Sequence, residues 1–189
     1  MKHILLFESF DLKSHLLERG VDPDKTQLII DEENNDVYFF LYNLSGQMIG
    51  FQKYNPLNSK KGREREGKYY SYMTDEGSGK SLGVWGLHSY DWQDEFIFIT
   101  EGIFDAARIQ QTGYPAIALL SNDPSKGMKS WLKTLPQKKI VIYDNDSAGK
   151  KLMKVGDFAY TVPTGKDMND LTPTEAKQFI EECLGKSGF

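Results

Sequence analysis

The stretch 96-FIFITEGIFDAARIQQTG-113, answered further on by 138-KKIVIYDNDSAGKK-151, decides the fold. Each contains a short apolar run rich in β-branched and aromatic residues, bounded by turn formers, and so reads as a buried strand. Each strand passes at once into a helix: 103-IFDAARIQQ-111, ended by Gly113, and a second begun by Ser147 as N-cap. Between them lie a strand, 115-PAIALL-120, and a helix, 125-SKGMKSWLKTL-135. After them come a short strand, 158-FAYTV-162, and a helix from about Thr174 to Leu184. Such alternation predicts a parallel sheet with helices on its faces, and ligands of open sheets of this kind bind outside the carboxyl ends of the strands.

Acids stand at those ends. Glu101 follows the first strand, Asp144 and Asp146 follow the third, Asp105 lies one helical turn past Glu101, and Asp167 in 165-GKDMND-170 comes off the fourth. Any one of them is accounted for as a helix cap or a first-turn charge. Carboxylates from several strands converging on one edge need more, because like charges raise each other's pKa. The usual partner of an all-oxygen cluster is Mg²⁺ or Mn²⁺. Gly102 and Gly149 keep the adjoining helix starts free of bulk.

The chain before residue 96 has a different character, and the sequence divides into an N-terminal lobe, 1–95, and a second lobe, 96–189. A short helix from Asp11 to Arg19, closed by Gly20, precedes 27-QLIID-31, 36-DVYFFLY-42 and 47-QMIGFQKY-54, which read as an antiparallel meander. Residues 55–67 are polar and read as a mobile loop before 68-KYYSYM-73. The fold expected is α/β: a parallel sheet flanked by helices, preceded by a smaller, β-rich α+β lobe.

With 189 residues, 39% of them hydrophobic, the chain can bury one large core or two small ones. No apolar run reaches the roughly 18 residues of a membrane span, and Glu8 and Asp11 interrupt any leader pattern, so a cytoplasmic protein with no membrane partner is expected. One cysteine, Cys183, and three histidines, His3, His15 and His88, cannot build a Cys/His zinc ribbon, and no zinc is expected. Net charge is −4, yet residues 51–80 hold seven Lys or Arg against four acids, the place for a polyanion to meet the protein.

The segments 99-ITEGIFDAARI-109 and 142-IYDNDSAGKK-151 together resemble the paired acidic motifs of TOPRIM domains. That family includes primases, topoisomerases, small nucleases and recombination mediators. The order 37-VYFFLYNLSGQMIGFQKY-54, 68-KYYSYM-73, 80-KSLGVWGLHSY-90 is similar to the primase cores of bacteria and phages, as is the trailing Gly-x-Asp-x-Asn at 165–169. Two features depart from the pattern: 121-SNDPSKG-127 lacks a Gly-Thr pair, and nothing matches the family's zinc-binding domain.

The resemblance implies a DNA primase-like nucleotidyltransferase that makes RNA primers on single-stranded DNA from ribonucleoside triphosphates with two Mg²⁺ or Mn²⁺ ions. Asp144, Asp146 and Asp167 would hold metal, and Glu101 would bind metal or manage the hydroxyl proton. Asp105 would support the site, and Lys53, Lys68, Lys80 and Asn169 would meet template or nucleotide. A replicative helicase and a separate zinc-binding domain are the implied protein partners, and the economy of the chain suggests a phage source. The same motif admits a metal-dependent nuclease or a non-catalytic nucleic-acid-binding module. Tyr54, Tyr69, Tyr70, Tyr72 and Trp85 are candidates to stack bases, although aromatic residues at strand spacing are more often core. Trp131 has core spacing on its helix. The string 77-GSGKS-81 imitates a P-loop, but the first glycine of that motif would fall at Thr74, and an ATPase is not expected.

Overall fold

A computed structural model describes residues 10–60, 66–74, 82–144, 149–163 and 165–189. Helix α1, Leu12–Glu18, starts where the Asp11 carboxylate accepts the Ser14 amide and ends before Gly20, whose φ of 87° suits a residue without Cβ. Strands β1 (Leu28–Asp31), β2 (Asp36–Tyr42), β3 (Met48–Tyr54) and β4 (Tyr69–Met73) follow as an antiparallel meander in that order. Alternation along β2 and β3 sends Val37, Phe39, Leu41 and Tyr54 into the core.

The second half begins after two bridges, Val84 to Tyr42 and Trp85 to Ala118, that stitch the two sheets together. It runs β5 (Phe96–Thr100), α2 (Ile103–Gln111), β6 (Ala116–Ala118), α3 (Lys126–Thr134), β7 (Lys138–Tyr143), α4 (Gly149–Leu152), β8 (Phe158–Thr161) and α5 (Pro173–Ser187). The strands are parallel in the order β6-β5-β7-β8. Because β6 lies on one side of β5 and β7 on the other, the chain reverses its direction of travel between β5 and β7. The crevice for a ligand opens at their carboxyl ends.

Both faces of this sheet are buried. Ile97, Ile99, Ile117 and Val141 pack with Met128 and Leu132 of α3. Phe98, Ala118, Ile140 and Ile142 pack with α2, α5 and the inner face of the antiparallel sheet, where Phe39 meets Phe104 edge-on at 5.6 Å. One core therefore draws on residues from either side of residue 96.

Local differences from the expected elements have simple causes. The 115–120 strand shortens to Ala116–Ala118, since Pro115 lacks an amide and Leu120 turns to a φ of 56°. Helix α5 starts at Pro173, with Thr172 and Glu175 forming a capping box. Helix α4 is one turn long, and Ser147 lies outside the described residues, as does the 77–81 string. Trp131 packs against the α3 side of the sheet. Among the described residues no helix is long and apolar enough to cross a membrane.

Candidate active site

The reversal point between β5 and β7 carries Glu101 and Asp144, each the residue immediately after its strand. Thr100 donates its hydroxyl to the Gly102 carbonyl and fixes the turn into α2. One turn on, Asp105 comes back beneath Glu101. A Cβ at Gly102 would stand 2.7 Å from the Asp105 carboxylate, so the glycine leaves that carboxylate its place. Gly149 is closer still: a Cβ there would lie 2.2 Å from the Asp144 carbonyl oxygen, and only a glycine lets α4 start hard against the end of β7.

These acids share two depressions. A recess of about 10 Å³, the scale of one small ion or water, is lined by Glu101, Asp105, Asp144 and Gly149. It adjoins a cleft of about 460 Å³ to which Glu101, Asp105, Asp144 and Asp167 all contribute. The Asp105 carboxyl is pushed up to about 7, by burial first and then by the charges of Asp167 and Asp144. Mutual repulsion of this kind is what a divalent cation relieves, and an all-carboxylate donor set fits Mg²⁺ or Mn²⁺. Among the described residues no three acids, histidines or cysteines already close on a single point. Asp146 lies outside the described residues. Asp167 also caps a 3₁₀ turn at Met168–Asp170, accepting the Asp170 amide at 2.9 Å.

The cleft has a second, basic side, of which the sequence marked the lysines of the 51–80 segment but not Arg19. Arg19, at the end of α1, lines it with Lys60 and Tyr69. Its guanidinium lies 3.6 Å over the Phe104 ring, donates Nε to the Asn169 side-chain oxygen at 2.7 Å and donates Nη1 to the Tyr54 hydroxyl at 3.1 Å. None of these partners carries a negative charge, and the guanidinium charge reaches Asp105 across the cleft, where it acts against the upward push of burial. Tyr54 in turn meets His15 Nε2 at 2.7 Å, and burial and the Arg19 charge hold His15 below the ordinary histidine range. Arg108 ties α1 to α2 by donating Nη2 to the Glu18 carbonyl at 2.6 Å, while its buried Nε finds no acceptor among the described residues.

The expected nucleotide-binding residues are spread over several places. Lys68 sets its ammonium 5.8 Å from the Tyr54 ring and is lowered in pKa by burial, Arg19 and Lys60, which groups it with the basic side of the cleft. Lys53 points to the opposite face of β3 from Tyr54 and pairs with Asp36 at 3.3 Å. The Asn169 amide donates to the Arg19 and Phe104 carbonyls while accepting from Arg19, so it clasps α1 to α2. Lys80 lies outside the described residues. Of the candidate stacking rings, Tyr54 and Trp85 are core, Tyr69 reaches the cleft, and Tyr70 and Tyr72 sit on the far face of the sheet.

No family model matches the chain. It is 25% identical over 183 residues to a DNA primase of Thermotoga maritima, covering 90% of this chain and 30% of that one. To a DNA primase of Clostridium acetobutylicum it is 24% identical over 176 residues, covering 86% and 28%. The chain thus spans less than a third of the curated relatives it matches. Among solved structures, the DnaG primase catalytic domain bound to single-stranded DNA superposes with a TM-score of 0.63 at 19% identity, over 92% of this chain and 58% of that one. The Aquifex aeolicus primase, with its zinc-binding and RNA polymerase domains, gives 0.62 at 22%, over 80% and 40%. The chain therefore has the fold of a primase catalytic core, an antiparallel sheet before a parallel sheet flanked by helices, and is similar in sequence to DNA primases.

Proposed function

We propose that the chain is a primase-type nucleotidyltransferase that joins ribonucleotides on a single-stranded DNA template. The observation that carries this reading is the cleft divided by charge, carboxylates of the parallel-sheet edge on one side and Arg19 with Lys60 on the other. Phosphoryl transfer needs that division: a triphosphate brings negative charge to both the metals and the cations.

Glu101, Asp105, Asp144 and Asp167, with Asp146 by its place in the sequence, would hold Mg²⁺ or Mn²⁺. Such ions, when bound, neutralise charge on the transferring phosphoryl group and align an attacking hydroxyl. Glu101, exposed at the edge like Asp144, suits removal of the hydroxyl proton. Arg19 is fixed by stacking and hydrogen bonds to Asn169, Tyr54 and Tyr69 before any ligand arrives, so its charge meets a phosphate with little ordering cost. Lys60 and Lys68 add charge on the same side. Residues 1–95 then form a lobe that supplies the cationic side, and residues 96–189 the acidic one. A replicative helicase and a separate zinc-binding domain are the protein partners proposed for this chain.

The test is RNA synthesis from ribonucleoside triphosphates on mixed-sequence single-stranded DNA with Mg²⁺ or Mn²⁺. Wild type is expected to make short RNA, Asp144→Ala and Glu101→Ala none, and Arg19→Lys at least about ten-fold less, chiefly through a raised KM for nucleotide. Metal-dependent cutting of the DNA without nucleotides would replace the reading with a nuclease. Oligonucleotide binding alone, untouched by loss of the acids, would replace it with a binding module.

A further inference from the structure

Asn169 touches both sides of the cleft at once. It sits at the centre of the 3₁₀ turn Met168–Asp170, which a reciprocal pair of bonds locks: Asp167 accepts the Asp170 amide and Asp170 accepts the Asp167 amide, each at 2.9 Å. From that fixed turn the Asn169 backbone N–H donates to the Asp105 carboxylate at 3.3 Å, while its side-chain oxygen accepts Nε of Arg19 at 2.7 Å. Its Nδ2 donates to the Arg19 carbonyl at 2.8 Å and to the Phe104 carbonyl at 3.3 Å. The Asn169 carbonyl in turn accepts Nη2 of the buried Arg108 at 3.4 Å.

This set of partners calls for an acceptor toward the guanidinium and a two-fold donor toward the carbonyls on a short stem, which is what an asparagine amide supplies. Aspartate would turn negative charge on both carbonyls and would pair with Arg19. Arg19 needs a hold of this kind. It is the C-cap of α1, where the helix ends, and its long side chain has much rotamer freedom to lose. Its own cleft also offers the wrong partners: Asp105 already feels its charge, and Asp167 lines the same cleft. A guanidinium that swung onto those carboxylates would take the place of a metal ion and leave less charge for a phosphate. With Nε on Asn169 and its plane 3.6 Å over the Phe104 ring, it stays on its own side.

We propose that Asn169 is a positioning residue that holds the Arg19 guanidinium on the phosphate side of the cleft, away from the carboxylates, and so sets the affinity for a nucleoside triphosphate. It deepens the nucleotidyltransferase reading and rests on that reading for the identity of the ligand. The role differs from the direct nucleotide contact that the resemblance implied, because the Asn169 amide is engaged by Arg19 and Phe104 and acts through the arginine.

The test is calorimetric titration of ATP into the full chain at saturating Mn²⁺, beside RNA synthesis and thermal melting. Asn169→Ala is expected to weaken ATP binding about ten-fold and to raise KM in step, with kcat within about two-fold of wild type. Asn169→Asp, of the same size and the second variant should alanine loosen the fold, is expected to weaken binding at least as far. Asn169→Ala/Arg19→Lys should bind no more than about two-fold worse than Arg19→Lys alone, since both changes act through one guanidinium, whereas the losses of Asn169→Ala and Lys60→Ala should multiply. A clasp that only held the fold together would lower melting and multiply with both changes alike. Wild-type affinity for ATP in either folded Asn169 variant overturns the inference. So do losses that multiply with Arg19→Lys, since Asn169 would then act without the arginine. The two readings fail separately: a chain that binds ATP through this pair but makes no RNA loses only the polymerase reading. One that makes RNA while the Asn169 variants bind ATP normally loses only this inference, and a wild type that binds no ATP loses both.

Discussion

Asp105 has its carboxyl pushed up to about 7 by burial and then by Asp167 and Asp144, whereas the unfolded side chain titrates near 3.8. Between those values the folded chain binds the extra proton, so raising the pH across that window costs stability, and the loss levels off above about 7. Asp105→Asn removes the penalty. Without divalent metal it is expected to melt higher than wild type at pH 8, by roughly 2–4 °C for each kcal/mol recovered, and to show a flatter melting curve with pH below 7. Mg²⁺ should raise the wild type more than the variant, because only the wild type carries the repulsion at Asp105 that the ion relieves. Calorimetry at several pH values checks both, and a variant that melts lower at every pH contradicts the account. Glu101, Asp144 and Asp105 were legible because strand ends and helical turns fix their direction locally. Arg19 was not, since its place depends on Asn169, 150 positions away, and on the ring of Phe104. No local signal marks such a clasp.

At the scale of elements, the parallel sheet was readable almost strand by strand, because strands buried on both faces are near-continuous apolar runs. The packing of α4 on β7 rests on Gly149, whose missing side chain leaves room for the Asp144 carbonyl. Gly149→Ala is expected to cost about 1–3 kcal/mol and to push Asp144 out of line, so activity should fall further than stability accounts for. Paired melting and RNA-synthesis measurements separate the two effects, and an alanine variant with wild-type melting and activity would contradict the close packing. Lys53 shows how much pleat alternation decides: Tyr54 faces the core, so its neighbour faces out toward Asp36. Its pairing with Asp36 had no counterpart in sequence spacing, because the two residues meet only across the β2–β3 register.

For the whole molecule, the composition break near residue 95 marks a change of sheet, while burial runs across it. Phe39, Tyr54 and Trp85 share a core with Phe98, Phe104 and Ile140, and the Trp85–Ala118 bridge closes the edge of the parallel sheet. A fragment of residues 96–189 should therefore expose the apolar face of α2 and aggregate, while the full chain melts in one transition. A soluble fragment with native circular dichroism would show that residues 96–189 fold as an independent domain. The same joining of halves makes the cleft, since its acids come from the second half and Arg19 from the first.

The most direct test of the central claim, that the acids at the ends of β5 and β7 act as one cation site, is calorimetric titration of Mn²⁺ into wild type, Glu101→Ala and Asp144→Ala. Saturable binding by wild type, weakened at least about ten-fold in both variants, is the expected result. Identical isotherms for all three proteins would contradict it.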